Sequence, residues 1–209
     1  MIFFNNYLLE IFSTIKSMDG EAYLVGGCVR DMLLGKTPKD FDIVTNISIY
    51  DLIPVFEANN WKISCTGVAM LVLNIYKRGN IFEIANYRKD SKTGDGRCPD
   101  FVEIGTIEDD AFRRDFTVNA LYYNPWSGDI LDPTGTGLKD LRNKILRFVG
   151  RPKERIVEDY LRIFRFYRFL AKGFKADSKS LKACREMFNE AYSKTTPERI
   201  RMEIEKMVI

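Results

Sequence analysis

The sequence predicts an α+β fold in which a mixed β-sheet with flanking helices is followed by an all-helical segment. Strand-like and helix-like apolar patterns alternate up to about residue 131, and only helix-like patterns follow. The charge changes along the chain too: residues 1–138 carry 13 Lys and Arg against 19 Asp and Glu, whereas residues 139–209 carry 19 against 10. We therefore predict two domains, an acidic one at 1–138 and a basic helical one at 139–209.

Local signals place the elements. Helix 3–18 follows from an apolar stripe that includes Leu8, Ile11 and Ile15, Ser48 is a plausible N-cap, and Arg78-Gly79-Asn80 is a hairpin signal. The predicted elements are helix 3–18, strand 22–26, helix 27–34, strand 41–45, helix 48–56, strands 61–65, 69–76 and 81–87, a polar loop at 89–100, and helices 107–122, 138–143, 152–172, 177–190 and 196–207.

Composition excludes several classes of chemistry. The chain has no histidine, so it has no His acid–base catalyst and no His metal ligand. The four cysteines, Cys28, Cys65, Cys98 and Cys184, show no CxxC spacing and predict reduced thiols rather than a zinc site or disulfides. No apolar run approaches the length of a membrane span, and the N-terminus lacks a basic leader segment. We expect a cytoplasmic protein with no membrane contact.

The segment from Leu24 to Thr45 carries the first candidate site. Strand alternation is expected to place Asp40 and Asp42 on one face, where two carboxylates repel and call for a cation. Mg²⁺ takes carboxylate oxygens and keeps positions open for substrate phosphate. Gly26 and Gly27 allow close backbone approach to a phosphate at a helix start, and Arg30 adds a fixed cation.

A third carboxylate, Glu83, falls in a later strand. Near an Asp pair it can hold a metal or orient an attacking hydroxyl, and the alternative, a solvent-facing strand residue, is about equally compatible with the pattern.

Two further motifs stand in the predicted helices. In Arg113-Arg114-Asp115-Phe116-Thr117-Val118-Asn119-Ala120-Leu121, Asp115 and Asn119 lie one helical turn apart and can bind sugar hydroxyls or brace the loop. In the stretch from Glu158 to Phe169, Asp159 and Arg162 are expected to share a helix face, where a surface salt bridge is the alternative to a binding role. Spacing alone supports Arg162 and at most Arg165 as further binding residues.

Together these motifs resemble the class II tRNA nucleotidyltransferase and bacterial poly(A) polymerase family over nearly all 209 residues. The resemblance implies a nucleotidyltransferase head followed by a helical neck. It places a metal-site carboxylate in the strand of Glu83, and it assigns nucleotide contacts to Arg114, Arg165 and Arg168. It also implies that the helix at 197–206 braces the nucleobase pocket. Members of the family usually continue into body and tail domains, which we expect to be absent or truncated here.

The expected activity is that of a CTP(ATP):tRNA nucleotidyltransferase, which adds CCA to the tRNA 3′ end. Mg²⁺ ions on Asp40 and Asp42 would activate the tRNA hydroxyl and stabilise the leaving pyrophosphate. Asp159 would accept a hydrogen bond from the amino group of cytosine or adenine, while Arg162 donates to their ring acceptors. Guanine and uracil present the opposite pattern and would be rejected. The expected partners are the tRNA 3′ end, CTP and ATP, and no protein partner is inferred.

Four alternatives stay open. A poly(A) polymerase usually carries a basic stretch where this chain has Gly67-Val68-Ala69-Met70, which favours the tRNA enzyme. An enzyme that adds only CC typically has a shorter loop than the one between Arg88 and Arg97, and an enzyme that adds only A is a further possibility. The non-enzymatic alternative is an RNA-binding module that keeps the fold.

Overall fold

The computed structural model describes residues 6–64, 70–90 and 102–208. The expectations that concern Cys65, Cys98, the stretch 67–69 and most of the loop at 89–100 lie outside the described residues. Two compact units divide the chain. Of the described residues, those within 1–89, 102–111 and 121–133 form the first unit, and the others, including 112–120, form the second. The predicted domain boundary between residues 138 and 139 stays a prediction.

The first unit is built on a seven-stranded mixed sheet. Its helices are α1 (Asn6–Ser17), α2 (Gly27–Leu33), α3 (Ile49–Ala58) and the start of α4 (Ile107–Phe112), and its strands are β1 (Ala22–Val25), β2 (Asp42–Thr45), β3 (Lys62–Ser64), β4 (Val72–Lys77), β5 (Asn80–Asn86), β6 (Arg88–Asp90), β7 (Val102–Ile104), β8 (Tyr122–Tyr123) and β9 (Ile130–Leu131). The sheet runs in the order β3-β4-β5-β2-β1-β8-β9, and β6 pairs separately with β7. Strands β2 and β5 are parallel, and the other neighbours in the large sheet are antiparallel.

Strand register fixes which side chains share a row across this sheet. Leu24 pairs with Ile43, and Ile43 pairs with Ile84, so three almost fully buried apolar side chains form one row. The next row on the opposite face contains Val25, Asp42 and Glu83 because side chains alternate along a strand. The carboxylate pair therefore lies on the sheet face opposite to the buried Leu24–Ile43–Ile84 row.

The second unit is mainly helical. It contains a 3₁₀ turn (Thr117–Asn119), helices α5 (Gly137–Arg142), α6 (Pro152–Glu158), α7 (Leu161–Ala171), α8 (Ser178–Glu186), α9 (Phe188–Lys194) and α10 (Pro197–Val208), and the strands β10 (Ile145–Leu146) and β11 (Lys175–Ala176). Strands β10 and β11 form a two-stranded parallel sheet, which the sequence patterns did not predict. Phe116, Phe148 and Phe166 are fully or almost fully buried and pack against one another in the core of this unit.

Most predicted elements are confirmed within three residues at each end that lies in the described residues, and so is the fold class. The exceptions are the long helices. The predicted helix 107–122 is wrong: α4 ends at Phe112, Phe116 is extended, and β8 begins at Tyr122. The side chain of Asp115 accepts from the N–H of Phe116, which gives the backbone a partner outside a helix.

The predicted helix 152–172 is also wrong, since it is two helices separated at Asp159 and Tyr160. Asp159 has φ −156° and ψ 104°, an extended conformation, and its carboxylate accepts from the N–H of Leu161 at the start of α7. The predicted helix 177–190 is likewise divided at Met187 into α8 and α9. No helix in the described part of the chain is long and apolar enough to cross a membrane.

Candidate functional site

The parallel pairing of β2 and β5 brings two of the predicted catalytic carboxylates together. Asp42 lies directly beside Glu83 in the register, and both side chains are exposed. Neighbouring strands are about 4.8 Å apart, so the two acids face one another at close range. Asp40 lies in a bend two residues before the strand begins. The prediction that strand alternation places Asp40 and Asp42 on one face is therefore wrong. Asp40 nevertheless lies only two residues before Asp42 in the sequence.

The negative charges of Asp42 and Glu83 repel each other, and this repulsion affects the pKa of Glu83. Partial burial raises the pKa of Glu83, the negative charge of Asp42 raises it further, and the nearby guanidinium of Arg88 opposes both effects. Arg88 was not among the predicted site residues, although it follows Glu83 closely in the sequence. A cation bound between the two carboxylates would relieve their repulsion.

The donor set suits a hard divalent cation that keeps substrate oxygens as ligands. Mg²⁺ is commonly held by one or two carboxylates and completes its shell with water and phosphate. Within residues 6–64, 70–90 and 102–208, no three acidic or cysteine side chains are grouped closely enough to hold a metal by themselves. Asp42 and Glu83 therefore fit a site that is completed by substrate rather than a closed structural metal site.

The glycine turn before α2 has the backbone that its sequence predicts. Gly26 has φ 78° and ψ −130°, a conformation that favours glycine, and its N–H donates to the carbonyl of Leu121 at 3.4 Å. A Cβ at Gly27 would meet only the Arg30 guanidinium, at 3.6 Å, so space alone does not require the second glycine. The Arg30 side chain donates to Asp31 at 2.9 and 2.8 Å, so this cation is held by a neighbouring carboxylate.

A second cluster, in the second unit, is centred on Asp115. Its carboxylate accepts from Asn119 Nδ2 at 3.0 Å and from Arg165 Nε and Nη2 at 2.9 and 2.7 Å. Burial alone would raise the pKa of Asp115, but the charge of Arg165, the Asn119 hydrogen bond and the charge of Arg162 together lower it to about 2. Of the two roles open to Asp115 and Asn119, bracing the loop is the one these contacts support.

Asp159 and Arg162, the predicted base-selecting pair, do not contact each other as an i,i+3 pair on one helix. Asp159 pairs with Arg199 of α10 at 3.2 Å. Arg162 donates to Glu158 at 2.8 Å and to the carbonyls of Arg113 and Arg155, both at 2.9 Å. Each member of the predicted pair is thus held by other partners, with Asp159 in the break between α6 and α7 and Arg162 in the first turn of α7.

The remaining predicted arginines differ in their surroundings. Arg168 forms an ion pair with buried Glu203 of α10 at 2.8 Å, and Arg114 is half-buried beside Asp115. Arg199 and Glu203 were expected only to brace the pocket as part of the last motif, and the structure gives each a direct contact with a predicted site residue. Their signal in the sequence was the Pro197–Lys206 motif, and the partners became visible only from the packing of α10.

The predicted site residues therefore fall into two sets, each considered within its own unit. The first unit holds Gly26, Gly27, Arg30, Asp40, Asp42 and Glu83, and the second holds Arg114, Asp115, Asn119, Asp159, Arg162, Arg165 and Arg168. Like charges meet in the first set, and a network of opposite charges holds the second.

Comparison with known proteins identifies the family. Residues 22–147 match the family described as the poly A polymerase head domain, and this is more than half of the chain. The chain belongs to this family, as its motifs predicted.

Two curated relatives illustrate the match. Poly(A) polymerase I of Haemophilus influenzae is 37% identical over 179 residues, which cover 81% of this chain and 39% of that protein. A CCA-adding enzyme of Anoxybacillus flavithermus is 34% identical over 203 residues, which cover 96% and 49%. The chain thus spans half or less of the length of these relatives.

Solved structures agree. The Bacillus stearothermophilus CCA-adding enzyme in complex with CTP superimposes with a TM-score of 0.83 and 31% identity, over 97% of this chain and 48% of that one. The Thermotoga maritima CCA-adding enzyme complexed with tRNA gives a TM-score of 0.80 and 25% identity, over 98% and 48%.

Proposed function

We propose that this chain adds CCA to the 3′ end of tRNA without a nucleic-acid template, using CTP and ATP and releasing pyrophosphate. The observation that carries the proposal is the side-by-side placement of Asp42 and Glu83 on parallel strands, in a chain similar to CCA-adding enzymes over most of its length. Two adjacent carboxylates without a closed ligand set suit nucleotidyl transfer, in which substrate phosphates complete the metal shell.

Nucleotidyl transfer in this family normally uses divalent metal ions. We propose Mg²⁺ here, held by Asp40 and Asp42, with Glu83 beside Asp42. Bound Mg²⁺ supplies Lewis-acid activation of the attacking hydroxyl and neutralises charge on the leaving pyrophosphate. The protein contributes by fixing Asp42 and Glu83 through strand register and by presenting the Gly26-Gly27 turn and Arg30 for phosphate contact.

Base selection is assigned to Asp159 and Arg162. A carboxylate that accepts from an exocyclic amino group and a guanidinium that donates to a ring acceptor match cytosine and adenine and mismatch guanine and uracil. Their present partners, Arg199 for Asp159 and Glu158 for Arg162, hold one side chain in the helix break and the other in the first turn of α7. The base would add contacts to these side chains or exchange with the partners.

Poly(A) polymerase activity is a second candidate, because one relative of similar identity is the Haemophilus influenzae poly(A) polymerase I. The two activities differ in nucleotide use: CCA addition needs CTP before ATP and stops after three nucleotides, whereas poly(A) synthesis needs ATP alone and continues.

The deciding experiment supplies radiolabelled CTP or ATP, separately and together, to tRNA that lacks its last three nucleotides, and the product ends are sequenced. CCA ends support the proposal, and ATP-only tails support the second candidate. CC-only or A-only ends would restrict the activity to part of the sequence. An Asp42→Asn variant serves as the control for a contaminating enzyme. If the wild-type protein incorporates neither nucleotide, a catalytic role for this chain is wrong.

The division into a catalytic head at 1–138 and a helical neck at 139–209 belongs to this proposal, as do the roles of the individual site residues. The cytoplasmic location stays a prediction of the sequence.

A further inference from the structure

Almost all the acidic side chains of the region 139–209 are paired with basic ones. Nine of its ten acidic side chains form an ion pair with an Arg or Lys, and Glu198 at the start of α10 forms none with the part of the chain that the structure describes. The basic side chains that form no ion pair therefore contribute much of the net charge of +9 in this region. Where those side chains lie decides whether the excess is spread over the surface or concentrated.

They are concentrated. Five exposed basic side chains that form no ion pair within the described residues occupy the short segments 139–144 and 175–179, and we call them the basic patch: Lys139, Arg142, Lys144, Lys175 and Lys179. Strands β10 and β11 bring the two segments together, since Ile145 pairs with Lys175 and the N–H of Lys175 donates to the carbonyl of Lys144 at 2.6 Å. Lys139 precedes Arg142 by three residues on α5, and Lys179 lies in the first turn of α8.

The acidic residues of the same two segments do not neutralise this surface. Asp140 and Asp177 both pair with Arg147, at 2.9 Å each, and their side chains are only 3% and 12% exposed. Asp140 also accepts from Thr117 Oγ1 at 2.8 Å, and Asp177 accepts from Ser180. Both carboxylates are therefore committed below the surface, and the exposed charge of the patch is entirely positive.

We propose that the basic patch binds the phosphate backbone of the RNA substrate. The occupant follows from charge complementarity: Lys and Arg side chains that are exposed and not paired with protein acids suit phosphates, whose condensed counterions are released on binding. Contacts between these cations and phosphates contribute affinity and orientation but no sequence preference. The identity of the RNA as tRNA rests on the proposed function.

The test compares two double variants that remove the same charge. Lys144→Gln/Lys175→Gln removes two charges from the patch, and Arg151→Gln/Arg185→Gln removes two exposed charges elsewhere in the same unit. Binding of tRNA that lacks its CCA end is measured at several salt concentrations, together with steady-state kinetics. The patch variant is expected to bind about tenfold more weakly and to lower the slope of log K against log salt by about two. Its KM for tRNA rises, while kcat and the KM for CTP stay unchanged.

The control variant is expected to change tRNA binding by less than about twofold. A Lys144→Arg/Lys175→Arg variant keeps the charge and should bind like the wild type, which separates loss of charge from a folding defect. Equal effects of the patch and control variants would overturn the proposal. So would a patch variant that keeps its tRNA affinity but no longer binds vesicles of phosphatidylcholine and phosphatidylserine, because the occupant would then be a lipid surface.

The two proposals fail separately. If the wild-type protein incorporates no nucleotide but binds tRNA in a manner that depends on the patch, the patch stands and the proposed function does not. If CCA addition proceeds and the patch variant has the tRNA affinity and salt slope of the control, the function stands and the patch does not.

Discussion

The two units use charge in opposite ways. In the first, strand register sets Asp42 beside Glu83, so two like charges meet and the pKa of Glu83 rises. In the second, carboxylates are matched with cations, as in the Asp115–Arg165 and Arg168–Glu203 pairs. An arrangement of like charges costs stability and is retained for function, whereas matched charges position the groups that carry them. The difference predicts that substitutions in the two units will affect activity and stability differently.

The largest effect is expected at the like-charge pair. Asp42→Asn keeps the shape of the side chain but removes a charge that a metal ion requires, so incorporation of CTP and ATP should both fall by about a thousandfold or more. The same loss is expected for Asp42→Ala and Asp40→Ala. Because the substitution relieves repulsion with Glu83, the free energy of unfolding should stay the same or rise slightly.

Single-turnover incorporation and urea unfolding measure the two quantities on the same samples. Glu57→Gln, an exposed change on α3, is the matched control and should alter neither. An Asp42→Asn variant that turns over at a near-normal rate with Mg²⁺ would remove the metal assignment, and one that unfolds much more easily would show that the pair is structural.

The next largest effect is expected in nucleotide choice. Asp159→Ala or Arg162→Ala removes one half of the polar match to cytosine and adenine, so the mismatch that rejects uracil and guanine disappears. Preference for CTP over UTP should fall by roughly a hundredfold, measured as the ratio of kcat/KM values. The Asp42 variant should lose rate without losing this preference. Strict C and A selection by the Asp159 variant would contradict the assignment.

Stability should respond most in the second unit. Asp115→Asn leaves the mostly buried Arg165 without its carboxylate, and we expect the free energy of unfolding to fall by about 2 kcal/mol. Arg201→Gln, in an exposed pair with Glu205, should cost less than about 0.5 kcal/mol. Urea titrations of both variants check the contrast, and equal effects would mean that the buried pair contributes no more than a surface one.

The same residue gives a pH signature. The pKa of Asp115 is lowered in the folded protein to about 2. Its stabilising contribution is therefore fully present above its unfolded pKa of about 4 and is lost as the pH falls through about 2. Between these limits the wild type should lose about 2 kcal/mol that Asp115→Asn does not lose, so their stability curves converge in acid. Parallel curves would show that another group controls the acid response.

The sequence predicted most of the first unit because its signals are local. Alternation and apolar runs located β1, β2 and β5, and Ser48 was correctly identified as the cap of α3. Side-chain alternation could not predict which way Asp40 faces, because alternation applies only inside a strand and β2 begins at Asp42. The sequence also could not predict that Glu83 is the neighbour of Asp42, since this pairing depends on the order in the sheet of strands that are far apart in the sequence.

The second unit was predicted less well for a different reason. The apolar period continues through residues 107–122 and 152–172, yet both segments contain an aspartate whose side chain binds nearby backbone N–H groups, Asp115 and Asp159. Asp is a common helix-capping residue, so Asp159 directly before a new apolar stripe was a signal for a second helix start. The ion-pair partners across α7 and α10 depend on tertiary packing and had no local signal.

The smallest expected effect is the loss of stability when a helix cap is removed, and it should differ between an uncharged cap and a charged one. Ser48 accepts from the N–H of Tyr50 at 3.3 Å at the start of α3, and Asp177 caps α8 by accepting from the N–H of Ser180 while also pairing with Arg147. Ser48→Ala should cost about 1 kcal/mol, and this cost should not depend on salt. Asp177→Ala should cost more, and its cost should shrink as salt screens the partly exposed Arg147.

Amide hydrogen exchange of α3 and α8 at low and high salt separates these two cases, because it reports each helix individually. A salt-dependent cost at Ser48, or a salt-independent one at Asp177, would contradict this contrast between the uncharged and the charged helix cap. A salt-independent cost at Asp177 would mean that packing rather than ion pairing holds the side chains of the second unit, and the stability loss expected for Asp115→Asn should then be small as well.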